Sequence, residues 1–247
     1  MGYIIRHKIR HATVTSAYGH YGTLGCRSLC TRFKDFAWAN QPCVVIGSGT
    51  SLLSIKDFSF LHRFKTIAIN RSFSIHDCDI VYSMDTNFYS NIICKYLDKF
   101  DGTSSLNQWN QLRSIKVFLR PSRVKAFHSE IYLIDSLKEQ CISKKISDGI
   151  CGGNNSGFGG LMLAIAMGAN PIYLLGFDMY IDETLNKSHF HAGYPKQSVS
   201  DFKKRLDSYV AGFHLFEHKI RDAGVSVFNL NFLSKIKCFP FINIKTI

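Results

Sequence analysis

Short apolar runs recur along this chain, each stopped within a few residues by glycine, asparagine, aspartate or proline. They are Pro42-Cys-Val-Val-Ile46, Thr66-Ile-Ala-Ile69, Asp79-Ile-Val-Tyr82, Ser114-Ile-Lys-Val-Phe-Leu119, Pro171-Ile-Tyr-Leu-Leu175 and Val225-Ser-Val-Phe228. Runs with no polar alternate face are the mark of strands covered on both sides, as in a parallel sheet. Between them the spacing turns helical. Asn87 to Phe100 reads as a helix, and Ser156 to Met167 as another closed by Gly168. Val199, Phe202, Leu206, Tyr209, Phe213 and Ile220 follow at helical steps and mark a long amphipathic helix stopped at Gly224. A further helix is expected to start near Thr50 or Ser51. This alternation predicts an α/β fold: a single Rossmann-like domain, its mostly parallel sheet covered by helices on both faces.

The regular pattern begins at Gln41, which gives a Rossmann-like domain over 41–247 and a basic N-terminal extension over 1–40. The extension holds six basic residues, one acidic residue and three histidines, and keeps no strand or helix period. It is expected to lie over the domain. At 247 residues and 46% hydrophobic content the chain can bury a substantial core as one domain. No apolar run approaches the ~20 residues of a membrane span, and the N-terminus lacks the apolar stretch of a secretion signal. The expectation is a cytoplasmic protein, with peripheral contact at an inner membrane surface left open. The eight cysteines fall at irregular intervals, as buried thiols do rather than zinc or disulfide sets. Thirty basic residues against 18 acidic ones give a net charge of +12, which favours acidic partners: nucleotides, nucleic acid or an anionic membrane. The charge does not choose among them, and nothing in the sequence sets the oligomeric state.

Four segments carry residues suited to chemistry. In Val44-Val-Ile-Gly-Ser-Gly-Thr-Ser-Leu52 an apolar strand runs into Gly47, Ser48, Gly49, Thr50 and Ser51. Glycines let backbone approach a phosphate, and free N–H groups at a helix start face the anion. The loop is neither a complete dinucleotide fingerprint nor a Walker loop. Asn70 follows the second strand and Asp85 the third, where the loops of adjacent parallel strands converge on one crevice. Asn70 fits a ribose, base or sugar, or the cap of a turn; Asp85 fits a metal, a hydroxyl or a helix cap.

The third segment, Gly152-Gly-Asn-Asn-Ser-Gly-Phe-Gly-Gly160, is a second glycine-rich turn entering a helix, with Asn155, Ser156 and Gly157 at its start. The fourth is Leu174-Leu-Gly-Phe-Asp178 with the loop Ser188-His-Phe-His-Ala-Gly-Tyr194-Pro195. Asp178 ends a strand at the same crevice. His189 and His191, two apart on an extended loop, can project the same way for acid/base work. They have no third ligand at metal-binding spacing.

These segments, in this order over Pro42 to Phe241, resemble the bacterial sialyltransferases of glycosyltransferase family 42. They also resemble the 6-hydroxymethylpterin pyrophosphokinase-like superfamily with its phage-type members. The resemblance implies that Gly47, Gly49, Ser51, Asn70, Asn155, Ser156 and Gly157 contact a nucleotide. In the sialyltransferases a histidine before the last helix deprotonates the acceptor hydroxyl. Here the matching position holds Tyr194, so His191 takes that part. Asp85 stands where those enzymes carry asparagine, which leans toward the pyrophosphokinase-like group.

The expected function is transfer of a sugar from a nucleotide donor, with a cytidine-monophosphate sugar as first candidate, to a hydroxyl-bearing acceptor. His189, His191, Tyr194 and Asp178 are its catalytic candidates. No cofactor or metal is required if helix N-termini at Thr50 and Ser156 neutralise the phosphate. One alternative is pyrophosphoryl transfer from ATP, with Asp85 and Asp178 holding Mg²⁺. Another is a non-catalytic basic protein that binds nucleic acid.

Overall fold

The apolar runs become strands of one sheet because both their faces are covered. In a computed structural model the described residues are 26–93, 105–121, 130–137, 141–191 and 199–247. Every strand among them is parallel to its neighbours: β1 (Arg27–Ser28), β2 (Cys43–Ile46), β3 (Lys65–Ile69), β4 (Ile80–Ser83), β5 (Ile115–Leu119), β6 (Ile131–Ile134), β7 (Ile172–Leu175) and β8 (Val227–Asn229). Their order across the sheet is β1-β6-β5-β4-β3-β2-β7-β8.

Alternate residues feed two cores. Val45, Ile67, Ile69, Tyr82 and Val117 face one side, covered by α3 (Ser156–Ala166), by part of α4 (Val199–Asp222) and by Trp38. Val44, Ile46, Ala68, Val81 and Phe118 face the other, where Phe88 and Tyr89 of α1 (Thr86–Ile93) and Trp109 of α2 (Ser105–Gln111) pack. The expected α/β fold, a single parallel sheet with helices on both faces, is the fold observed. No helix of the described residues is long and apolar enough to cross a membrane.

Three features differ from expectation. Residues 26–40 are part of the domain rather than an extension over it: Arg27–Ser28 pairs with Tyr132–Leu133 as the sheet's edge, and Leu29 and Trp38 are buried in the two-sided core. Residues 1–25 lie outside the described residues, as does the expected helix beyond Ile93. Strand β6 is a short apolar run, Ile131-Tyr-Leu-Ile134, that is not among the expected strands. Third, the segment after the first glycine loop is a five-residue 3₁₀ turn, Thr50–Ser54, not an α-helix. Its hydroxyls favour turns over helix interiors, and the Ser54 hydroxyl donates to the Ser51 carbonyl at 2.7 Å, closing the turn.

The strand order sets the position of any site. Strands leave β2 in one direction through β3 to β6 and in the other through β7 to β8. The carboxyl ends of β2 and β7 are therefore a topological switch point, where the following loops part and leave a crevice. Ile46 pairs with Leu175 in register, so Gly47 and Gly176 enter that crevice side by side.

Candidate functional site

A cavity of about 800 Å³ opens at this switch point. Gly47, Ser48, Gly49, Asn70, Asp85, Asn155, Ser156, Gly157, Asp178, His189 and His191 all line it. The sequence-predicted residues from four strand ends and one helix start are thus brought to one place. Thr50 and Ser51 sit behind the wall, on the turn that holds Asp178. Tyr194 lies outside the described residues.

The first glycine loop is built by close approach to β7. Gly47 N–H donates to the Leu175 carbonyl at 2.7 Å and Gly49 N–H to the Gly176 carbonyl at 2.8 Å. A Cβ on Gly47 would lie 2.6 Å from the Gly176 oxygen, and one on Gly49 would lie 2.2 Å from the Asp178 carboxyl carbon. Gly49 has φ −63°, an ordinary value. Glycine is required here by contact, not by a left-handed backbone. The loop is tied further by the Ser72 hydroxyl, which donates to the Gly47 carbonyl at 2.5 Å.

Asp178 is only 2% exposed and its carboxylate is fully engaged. Oδ2 accepts the Ser51 N–H at 2.8 Å and the Thr50 hydroxyl at 3.4 Å, while Oδ1 accepts the Ser51 hydroxyl at 2.5 Å and Asn231 Nδ2 at 2.7 Å. The Thr50 hydroxyl and the Ser51 N–H and hydroxyl, expected from sequence to lie at a phosphate, bond this carboxylate. The expected helix start at Thr50 is a 3₁₀ turn instead, and the Asp178 carboxylate holds the loop shut. Asn231, on the loop after β8, completes the arrangement.

The second glycine turn keeps its helix. Asn155 caps α3, its Oδ1 accepting the Phe158 N–H at 2.8 Å, and the Ser156 hydroxyl accepts the Met84 N–H at 3.2 Å, joining α3 to the end of β4. Gly159 and Gly160 let α3 lie against the sheet, because a Cβ there would meet the Tyr82 hydroxyl at 2.4 Å and Ile69 Cδ1 at 2.3 Å. The helix is eleven residues long and its N-terminal turn faces the cavity, so it offers a partial positive charge there. Asp85 takes the capping role: its Oδ1 accepts the Asn87 N–H at 2.8 Å at the start of α1, while the residue still lines the cavity.

The histidines line the cavity too, with the His189 ring 5.8 Å from that of Phe202 on α4. Phe190 N–H donates to the Ser48 carbonyl at 3.0 Å, which fixes the histidine loop to the first glycine loop. The rings of His189 and His191 stand 5.5 Å apart, and His189 Nδ1 lies 2.8 Å from the Ser188 hydroxyl. Burial lowers the His189 pKa to about 4, so its imidazole is neutral at ordinary pH. Burial raises Tyr209; Asp85 adds to the effect, and the Arg205 guanidinium opposes it.

Arg205, Tyr209, Phe202, Lys187 and Tyr180 also line the cavity, and sequence reasoning gave none of them a role. The apolar stripe of α4 reads as core throughout, yet only Phe213, Phe216 and Ile220 are core in its second half. Val199, Phe202, Leu206 and Tyr209 in its first half face the cavity. The signal available was Arg205 beside Leu206 on a stripe otherwise free of charge. Backbone strain collects here as well. Among the described residues five non-glycine positions have positive φ, and Asn70, Met179 and Asn186 all line the cavity. Such strain is retained where geometry matters more than stability.

Among the described residues no group of three or more His, Cys, Asp or Glu side chains is arranged to hold a metal ion. The seven described cysteines are free thiols, four of them buried. No protein-family model and no curated protein sequence matches the chain. Among solved structures it is similar to the MAf glycosyltransferase from Magnetospirillum magneticum AMB-1, at 11% identity and a TM-score of 0.48. The match covers 85% of this chain and 34% of that one, so this chain spans about a third of that protein's length. A likeness at that level says nothing about activity.

Proposed function

We propose that this chain transfers a sugar from a nucleotide donor to a hydroxyl acceptor, with a cytidine-monophosphate sugar as first candidate. The observation that carries the reading is that one cavity is lined by an α-helix N-terminus, by Arg205 and by two histidines. The first pair suits a phosphate: N–H groups of the first turn of α3 and a guanidinium supply charge-assisted donors. The second suits an acceptor. His191 takes the hydroxyl proton as the acceptor oxygen bonds to the anomeric carbon. The bond from that carbon to the phosphate oxygen breaks, and the nucleotide leaves as a phosphate whose new charge meets the α3 N-terminus and Arg205. His189, neutral and beside His191, is suited to orient the second ring rather than to hold a proton.

Asp178 enters this reading as the pin of the first glycine loop rather than as a reacting group. Asp85 in the cavity wall favours the second reading, magnesium-dependent pyrophosphoryl transfer from ATP. That reading needs a carboxylate pair, and the Asp178 oxygens are held by Ser51, Thr50 and Asn231.

Calorimetric titration of CMP, UMP, GMP and ATP, with and without Mg²⁺, tests both. The glycosyl reading expects CMP to bind best without metal, and Arg205→Glu to weaken it. Preference for ATP with magnesium would move the assignment to pyrophosphoryl transfer. Negligible binding of all four would sink both.

A further inference from the structure

A loop outside the cavity carries large apolar side chains in full view of solvent. Phe232 is 67% exposed and Leu233 66%, at the tip of the turn after β8, and Phe241 beside them is 46% exposed. The Phe232 and Phe241 rings meet edge to face at 5.4 Å. Scattered surface hydrophobics need no explanation, but adjacent ones held rigidly do. This tip is rigidly held. Ser234 beneath it is buried, its hydroxyl donating to the Phe177 carbonyl at 2.6 Å and accepting the Ile236 N–H at 3.0 Å. Lys235 N–H donates to the Asp178 carbonyl at 3.0 Å. Anchors on both sides of Phe232 and Leu233 keep the two side chains from folding back into the core.

The side-chain charge of the segment that carries the tip has one sign. From Ala223 to Ile247 there is no aspartate or glutamate, and Lys235, Lys237 and Lys245 are exposed. Lys237 Nζ lies 5.4 Å from the Phe232 ring centre and donates to the Phe232 carbonyl at 2.9 Å, so a cation sits directly on the apolar tip. Leu53, 53% exposed, belongs to the 3₁₀ turn whose Ser51 is bound to the same Asp178 that holds Asn231. Two loops pinned to one carboxylate thus present apolar tips.

We propose that the Phe232–Leu233 tip is a docking surface for an anionic lipid bilayer. The apolar side chains enter the interfacial zone, and Lys235 and Lys237 meet the headgroup phosphates. Long lysine stems allow this, since their methylenes lie along apolar surface while the ammonium stays in the polar layer. The loop is attached to Phe177 and Asp178, so docking would set the cavity at the membrane surface. Docking itself does not depend on what the cavity binds.

Co-sedimentation of the full chain with vesicles tests this. The expectation is binding to phosphatidylcholine vesicles containing phosphatidylglycerol, and little to phosphatidylcholine alone. Phe232→Ser with Leu233→Ser should cut partitioning at least about tenfold. Each of Lys235→Glu and Lys237→Glu should cut it about fivefold or more at low salt. The serine variant replaces solvent-facing side chains, so its thermal unfolding serves as the check on folding. No binding to anionic vesicles at low salt would overturn the proposal, as would equal binding by the folded serine variant. Parent self-association abolished by the serine variant, without vesicle binding, would assign the tip to a second copy of the chain instead.

Discussion

Ser51 and Asp178 form a bidentate pair: the Ser51 N–H donates to Oδ2 at 2.8 Å and its hydroxyl to Oδ1 at 2.5 Å. A turn of the type that often grips a phosphate therefore already grips an anion, one supplied by the chain. The groups suited to a phosphate that still line the cavity are those at the α3 N-terminus and Arg205 of α4.

Asp178→Asn keeps the shape of the side chain but replaces one acceptor oxygen with an amide that has only donors facing it. Loss of a buried, charge-assisted hydrogen-bond set costs on the order of 2–4 kcal/mol. For a chain of this length that is a fall in Tm on the order of 5–10 °C. Thermal and urea unfolding should show it. Unchanged stability would mean that the carboxylate is not the pin described here.

Gly49→Ala should be destabilising by about 2 kcal/mol or more, although its backbone angles suit alanine. The added methyl would overlap the Asp178 carboxyl group at 2.2 Å. Combining Gly49→Ala with Asp178→Ala should restore part of the loss. A double variant no better than the sum of the two singles would show that the contact is not the cause.

Asn70, at φ +52°, separates backbone from side chain. Asn70→Gly accepts that angle and should leave stability within about 1 kcal/mol, whereas Asn70→Ala should lose roughly that amount to strain. If the side chain contacts a nucleotide, both variants should weaken CMP binding about equally, by about fivefold or more. Binding that follows stability instead would give Asn70 a purely conformational role.

His189 makes the fold sensitive to mild acid. Its folded pKa of about 4 lies below the ordinary 6.5, so between those values the unfolded chain binds a proton that the folded one does not. Stability should therefore decline as pH falls from about 6.5 toward 4 and stop declining from this source below that. The upper limit of the effect is about 3 kcal/mol. His189→Gln should flatten that part of the urea-unfolding profile. A slope identical in the variant would place the effect elsewhere.

The strands β2, β3, β4, β5, β7 and β8 are legible in the sequence because their apolar runs are short, uninterrupted and stopped by turn residues. β1 is not, because Arg27–Ser28 has no apolar signature and joins the sheet only through its edge pairing with Tyr132–Leu133. At the site, the glycines and Asn155 are legible as types but not in purpose. Gly-Ser-Gly looks the same whether it makes room for phosphate or for the carbonyl of Gly176 and the carboxylate of Asp178. Arg205 and Tyr209 are hidden differently. Helical spacing says which face of α4 is apolar, but not where along its length core gives way to cavity.

The Ser51–Asp178 pair also joins residues 127 positions apart in the chain. A ribosome adding about 5–20 residues per second takes roughly ten seconds between the two. Throughout that interval the glycine loop has left the exit tunnel without the carboxylate that closes it, and β2 has no β7 beside it. Pairings of such long range form late, and exposed strand edges are open to association with other chains in the meantime. The nascent protein is thus expected to need protection while its middle is made, and a fragment ending before Asp178 should be caught by chaperones rather than fold.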